Sequence, residues 1–307
     1  MILLANGEGA SGVAATARLL REGAAGLDAI EAGIRLVEAD PKVRSVGPGS
    51  WPNILGVLQL DAAVMDGRTR LTGAVGALES FAHPISVARA VMARLPHEIL
   101  VGDGAARFAR EVGAEPIRGL EDPVVGDRWR ALLGQLGVTP ETLLGNPDHE
   151  LIDLARAATD PELVRDTTVY LTKDASGNLS SGASTSGWAW KYPGRLGDTP
   201  IIGAGSYADA HYGAAACTHT GEMTIRAGTA RAIVLSLKMG LSLEDAVGEA
   251  IEDLATLKTG QLGTVTVHAI DTEGGHKVVC YKPTEPIYYW LWTADMANPE
   301  RRTAETV

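Results

Sequence analysis

A layered α+β sandwich, in which antiparallel sheets are covered by paired helices, is the fold class the sequence predicts. Three observations carry it. The chain runs strand, two helices, hairpin, helices, hairpin, two helices, hairpin. Hairpins imply antiparallel sheets, and long paired helices must cover them. Glycine is abundant at 36 residues while aromatics make up 5%, a balance of tight turns and close backbone approaches typical of layered enzymes.

Taken in order, Met1-Ile-Leu-Leu-Ala reads as a first strand. Val13 to Arg21 and Leu27 to Ala39 read as helices, separated by Gly23 and Gly26 and stopped by Pro41. Asp66-Gly67 is a strong two-residue turn between a strand from Ala62 and another from Thr69 to Leu78. A helix over Ile85 to Leu95, a short strand over Glu98 to Val101 and a helix over Gly104 to Glu111 follow. Arg118 to Asp166 carries several prolines, alternating charge and only short helical patterns such as Glu150 to Ala158, and reads as a peripheral, partly mobile segment. Thr168 to Lys173 and Leu179 to Thr185 alternate with period two around Ser176-Gly177-Asn178. Gly221 to Met239 and Leu243 to Leu254 are helical, and Thr264 to Ile270 and Lys277 to Tyr281 form the last hairpin. Trp188 and Trp190 are read on a strand, facing one side; Tyr288, Tyr289, Trp290 and Trp292 mark a buried strand or an interface.

The 307 residues suffice for one large domain or two ordinary ones. A net charge of −11 repels phosphate backbones and anionic lipid, so nucleic acid and membrane are excluded as partners. Cys217 and Cys280 make neither a disulfide framework nor a metal-type spacing. No apolar run approaches the ~18 residues of a membrane span, and the first residues lack a basic, secretory-type start. The expected location is the cytoplasm. His268 and His276 stand at no metal spacing and are expected to make ordinary hydrogen bonds.

Gly7-Glu-Gly9-Ala-Ser-Gly12 has the spacing of a dinucleotide fingerprint. That motif needs a second parallel strand ending in an acid, and here Gly26-Leu27-Asp28 opens another helix. A Gly-rich turn that allows close packing is the better reading.

The densest chemistry lies between Asp166 and Glu222. Asp166-Thr167-Thr168 is followed by Ser184-Thr185-Ser186-Gly187, Gly194-Arg195-Leu-Gly197-Asp198, Pro200-Ile-Ile-Gly-Ala-Gly205-Ser-Tyr-Ala, and Cys217-Thr218-His219-Thr220-Gly221-Glu222. No His–Asp pair stands at a triad spacing. This series resembles the glycosylasparaginase and plant-type asparaginase family of N-terminal nucleophile hydrolases, as do Ser45-Val-Gly-Pro-Gly, Pro52-Asn53, Leu60-Asp61-Ala62, Met65-Asp66-Gly67, Gly73-Ala-Val-Gly and His83-Pro-Ile-Ser-Val-Ala-Arg-Ala.

The resemblance implies a four-layer αββα sandwich, a single domain over 1–307 self-cleaved between Asp166 and Thr167 into pieces 1–166 and 167–307, and a homodimer of cleaved protomers. It implies an amidohydrolase acting on the β-aspartyl amide of a small molecule: an N4-substituted asparagine, an isoaspartyl dipeptide or asparagine. Thr167 would be the nucleophile, activated by its own freed α-amine, whose reference pKa of about 7.7–8.0 lies near working pH. By the same likeness Thr185 orients Thr167, Arg195 holds the substrate α-carboxylate, Asp198 pairs with its α-ammonium, Thr218 donates to the oxyanion, and Gly221 admits the substrate's amino end. No metal or organic cofactor takes part, although relatives hold a structural sodium ion in a backbone loop.

Five positions depart from the family pattern. Asn6 stands near where glycosylasparaginases carry a pocket-shaping tryptophan, Trp51 replaces a serine, Arg165 a histidine, and Val169 and His219 glycines. His219 would still offer its N–H to the oxyanion if its backbone tolerates the required φ. The aspartyl anchors are unchanged, so the leaving group is expected to differ from a plain N-linked sugar. The alternative is an unprocessed, non-catalytic relative that binds an amino acid or acts as a scaffold.

Overall fold

The computed structural model describes residues 1–117, 122–159 and 167–307. Buried apolar residues alternate between the two faces of several strands, which lets one strand serve two cores. β1 (Ile2–Asn6) puts Leu3 and Ala5 on one face and Ile2 and Leu4 on the other. The same alternation runs through β2 (Leu60–Asp66) and β5 (Thr168–Lys173), where Tyr170 faces opposite to Val169 and Leu171.

With β3 (Thr72–Leu78), β4 (Ile99–Val101), β6 (Leu179–Thr185), β11 (Tyr288–Thr293) and β12 (Glu300–Thr303), these form an eight-stranded sheet in the order β12-β11-β1-β5-β6-β2-β3-β4. Its pairs are antiparallel except β3 with β4, which is parallel. A second sheet has the order β13-β10-β9-β8-β7, built from β7 (Ser206–Asp209), β8 (Gly213–His219), β9 (Val265–Asp271), β10 (His276–Tyr281) and β13 (Glu305–Thr306).

One core joins the sheets: Ile2, Leu4, Val169 and Leu171 of the first meet Ala214, Ala216, Ile270 and Val278 of the second. The other face of the large sheet packs on α1 (Ala10–Arg21), α2 (Gly26–Ala39), α3 (Pro84–Arg94) and α4 (Gly102–Glu111). The other face of the small sheet packs on α8 (Gly221–Ala227), α9 (Thr229–Lys238) and α10 (Leu243–Thr256). Leu3, Leu20, Ile30 and Ile34 are fully buried, and each such side chain stabilises the fold by roughly 1.5–3 kcal/mol.

The turn at Gly7–Gly12 is a packing device. A β-carbon on Gly12 would lie 2.1 Å from the Gly33 carbonyl oxygen, so only glycine lets α1 and α2 approach this closely.

Several expectations are corrected. The stretch read as peripheral holds α5 (Pro123–Gln135), α6 (Pro140–Gly145) and α7 (Ile152–Ala158), which bury Trp129, Leu133 and Leu143 in a fourth cluster with Trp51 and Trp190. Asp122 and Thr139 cap the first two of these helices, so their prolines open helices rather than break them. The single helix read over Gly221–Met239 is divided by Gly228, whose φ of +62° ends α8. Trp188 and Trp190 belong to no strand; Trp190 has a φ of +60°. Arg195 stacks on Trp188, and Trp51 meets Trp190 edge-on. Tyr288–Trp292 do form a strand, β11, beside β1.

Candidate active site

Thr167 precedes β5 by one residue and is buried. The β1–β5 ladder ends at Ala5 opposite Tyr170. Beyond it the Asn6 side chain takes over the role of a backbone peptide: its Nδ2 donates to the Thr167 carbonyl, and its Oδ1 accepts from the Val169 amide at 3.0 Å. Asn6 thus brackets Thr168 and fixes the backbone on both sides of it. Sequence reasoning placed Asn6 near the pocket and gave it no such task.

Thr185 ends β6, two strands from β1. Its hydroxyl donates to the Ser45 carbonyl at 3.4 Å and accepts from the Gly187 amide at 2.9 Å, which fixes its orientation. Beneath β6, Glu38 is fully buried and accepts from Ser184 at 2.6 Å and from the Ile85 amide at 3.1 Å. Burial pushes the Glu38 carboxyl up, against the pull of His83 and Ser184.

The loop from Lys191 to Asp198 is held by the start of β2 and the residue before it. Lys191 Nζ donates to the Gln59 carbonyl at 3.1 Å, the Gly194 amide to Gln59 Oε1 at 2.9 Å, and the Gly197 amide to Asp61 Oδ2 at 3.4 Å. Lys191 is buried, and desolvation lowers its ammonium pKa to about 8 while the Asp61 charge opposes the fall. Neither Lys191 nor Gln59 was picked out from sequence; a lysine amid Trp188, Trp190 and Tyr192 was the available signal.

Arg195 sits over Trp188, its guanidinium carbon 4.3 Å from the ring centre. Its Nε and Nη2 both donate to Glu222 Oε1 at 3.0 and 2.7 Å. Nη1 lies nearest Gly187 and Gly197, both of which line the cavity. The Nη1 side of the guanidinium thus faces the cavity, while its other edge is clamped by Glu222. Glu222 entered the sequence pattern only as a motif letter.

Asp198 is buried, and its Oδ2 accepts from the Thr224 hydroxyl at 2.6 Å. Desolvation raises its pKa to about 6, offset in part by the Thr224 hydrogen bond and the Arg195 charge. A β-carbon on Gly221 would stand 2.8 Å from Asp198 Oδ1, so the bare glycine at the start of α8 makes room for that carboxylate.

Thr167, Thr185, Arg195, Asp198 and His219 line one small cavity, together with Gly187, Trp188 and Gly197. Thr218 and Gly221 stand one step behind it, Thr218 through a 2.9 Å contact between its Oγ1 and His219 Nδ1, and Gly221 against Asp198. His219 closes β8 with a φ of +83°. Val169 points into the core between the sheets rather than into the cavity. Arg165 and Asp166 lie outside the described residues. Among the described residues no helix is long and apolar enough to cross a membrane.

The arrangement is that of a mixed α/β protein whose two sheets bring hydroxyls, one arginine and one aspartate to a single cavity. Residues 10–290 match the asparaginase family. The chain is 36% identical over 271 residues to the N(4)-(beta-N-acetylglucosaminyl)-L-asparaginase of Elizabethkingia miricola, covering 86% of this chain and 73% of that one. It is 35% identical over 281 residues to the plant-type L-asparaginase of Pyrococcus horikoshii, covering 92% and 87%. To the isoaspartyl peptidase/L-asparaginase of Bos taurus it is 33% identical over 252 residues, covering 81% and 76%. The chain belongs to the asparaginase family.

Proposed function

We propose that the protein is an N-terminal threonine amidohydrolase that cleaves the side-chain amide of asparagine-type substrates and releases aspartate. The observation that carries this reading is the cavity shared by Thr167, Thr185, Arg195 and Asp198. The relatives' names, which span glycosylated asparagine, asparagine and isoaspartyl peptides, support the amide class.

The chain first breaks between Asp166 and Thr167, giving 1–166 and 167–307 as two parts of one domain with a four-layer αββα sandwich. The freed α-amine takes the proton of Thr167 Oγ as that oxygen attacks the β-carbonyl. Thr218 donates to the oxygen that becomes negative. The C–N bond breaks, the proton passes to the departing amine, and an aspartyl ester remains on Thr167. Water adds to the ester, restoring the hydroxyl and releasing aspartate. Arg195 and Asp198 hold the α-carboxylate and α-ammonium throughout, and Thr185 orients the nucleophile. The leaving group differs from a plain N-linked sugar, and cleaved protomers pair as a homodimer. A structural sodium ion, as the family resemblance implies, would rest on the backbone carbonyls of a loop; every step above is carried by side chains and the terminal amine.

Intact-mass measurement of the wild type beside Thr167→Ala tests the reading. Two fragments and aspartate release in the wild type, with one uncleaved and inactive chain in the variant, are expected. Turnover by Thr167→Ala, or by chains that are never cut, would sink it.

A further inference from the structure

We propose that His219 is a positioning residue that sets the direction of the Thr218 hydroxyl proton, and so decides whether that hydroxyl can donate to the reacting amide. The inference rests on reading the cavity as an amide-hydrolysing site.

Two observations converge on His219. Its φ of +83° lies in the left-handed region, which residues with a β-carbon rarely adopt and where Asn, Asp and His are enriched. Its ring lines the cavity beside Thr167, and Nδ1 sits 2.9 Å from Thr218 Oγ1. The left-handed turn is what lets the ring of one residue reach the hydroxyl of the residue before it.

A hydroxyl has one proton to give. If Nδ1 carries no proton it can only accept, so the Thr218 proton is drawn to the ring and away from the reacting oxygen. If Nδ1 is protonated, it donates to Thr218 Oγ1, and the hydroxyl proton is released to point elsewhere. The second arrangement serves a developing oxyanion; the first turns a lone pair toward it. A protonated Nδ1 is therefore the state assigned to the working enzyme.

Asp198 and Arg195 line the same cavity as His219. On the neighbouring strand β9, His268 is buried and pushed down to about 3, by desolvation first and the His219 charge second. It stays neutral through the working range, so His219 faces no imidazolium across the strand.

The test sets His219→Asn against His219→Asp. Both side chains tolerate the left-handed backbone and place an atom near the Nδ1 position. The amide can donate to Thr218, whereas the carboxylate can only accept. With L-asparagine and a β-aspartyl dipeptide as probes, kcat is expected to stay within about tenfold for Asn and to fall roughly 10²–10³-fold for Asp, as for loss of an oxyanion donor. The same pair is then built on Thr218→Val, which removes the hydroxyl. There the Asn–Asp difference should collapse, because its route is gone. A difference that persists, or no difference in the parent, overturns the proposal.

A second readout needs no turnover. Long-range ¹H–¹⁵N spectra of the histidine-labelled processed protein, with His219 assigned by its loss in His219→Asn, should show the proton on Nδ1. A neutral ring protonated only at Nε2 overturns the proposal. Turnover by Thr167→Ala would instead strike at the reading of the site, and is scored separately.

Discussion

Glu222 Oε1 accepts two hydrogen bonds from Arg195, from Nε at 3.0 Å and from Nη2 at 2.7 Å, while Trp188 supports the face of the same guanidinium. The arginine is thereby held in one pose before any ligand arrives, which lowers the ordering cost of binding. Glu222→Gln keeps the shape and removes the charge. Charge-assisted hydrogen bonds contribute roughly 1.5–3 kcal/mol, so KM for substrates with a free α-carboxylate is expected to rise about tenfold or more with a smaller change in kcat. Steady-state kinetics on L-asparagine decides it, and an unchanged KM would mean that Arg195 needs no such support.

Gly221→Ala drives a methyl group to within 2.8 Å of Asp198 Oδ1 and 2.9 Å of the Asp198 amide nitrogen. Overpacking of this kind costs roughly 1–3 kcal/mol. The displaced carboxylate is expected to raise KM by at least about tenfold. Intact-mass analysis should show processing unaltered, because the methyl group meets Asp198 and its backbone rather than Thr167.

Replacing Asn6 by Leu leaves the Thr167 carbonyl and the Val169 amide without their side-chain partner. Each buried backbone group left unpaired costs roughly 1–3 kcal/mol. Cleavage before Thr167 is expected to slow at least about tenfold, followed as the fraction of intact chain against time. Asn6→Asp should also slow it, since its Oδ atoms can accept from Val169 but cannot donate to Thr167. Cleavage at the wild-type rate in both variants would contradict the clamp.

Two buried groups set opposite pH slopes. Asp198 titrates near pH 6, above its ordinary 3.8. Its contribution to stability is present below pH 3.8 and is lost as pH rises through about 6, so Asp198→Asn should be more stable than wild type above pH 6, by roughly 2–3 kcal/mol. His268 is depressed from 6.5 to about 3. Its contribution is present above pH 6.5 and is lost as pH falls toward 3, so His268→Gln should flatten the acid limb of thermal stability. Kinetics should follow Asp198: apparent KM rises as pH drops below about 6, and Asp198→Asn abolishes that limb. A wild-type KM flat between pH 5 and 7 would refute the assignment.

The hairpins were legible because alternation and turn chemistry agree there; Asp66-Gly67 and the Ser176–Asn178 turn each join two strands of the large sheet. The helices around Pro123 and Pro140 were not, because a proline marks both a helix start and a break, and only the caps at Asp122 and Thr139 tell which. The division of α8 from α9 was hidden because helix-forming residues continue on both sides of Gly228. At the site, Thr167, Thr185, Arg195 and Asp198 were readable as motif letters, and the structure gathers them around one cavity. The clamp of Glu222 on Arg195, the support from Gln59 and the peptide-like use of Asn6 were not. Their roles depend on partners separated by 27, 135 and 161 residues, which local patterns do not encode.

The order of the large sheet sets a limit on what a cut ahead of Thr167 can do. β1 runs between β11 and β5, and β2 lies against β6, so strands from before and after that point are interleaved across one hydrogen-bonded surface. Scission there would leave every neighbour in place, and the two polypeptides would remain woven together. They could part only by unravelling the sheet itself, so a nicked molecule would be a single folding unit with an extra pair of ends.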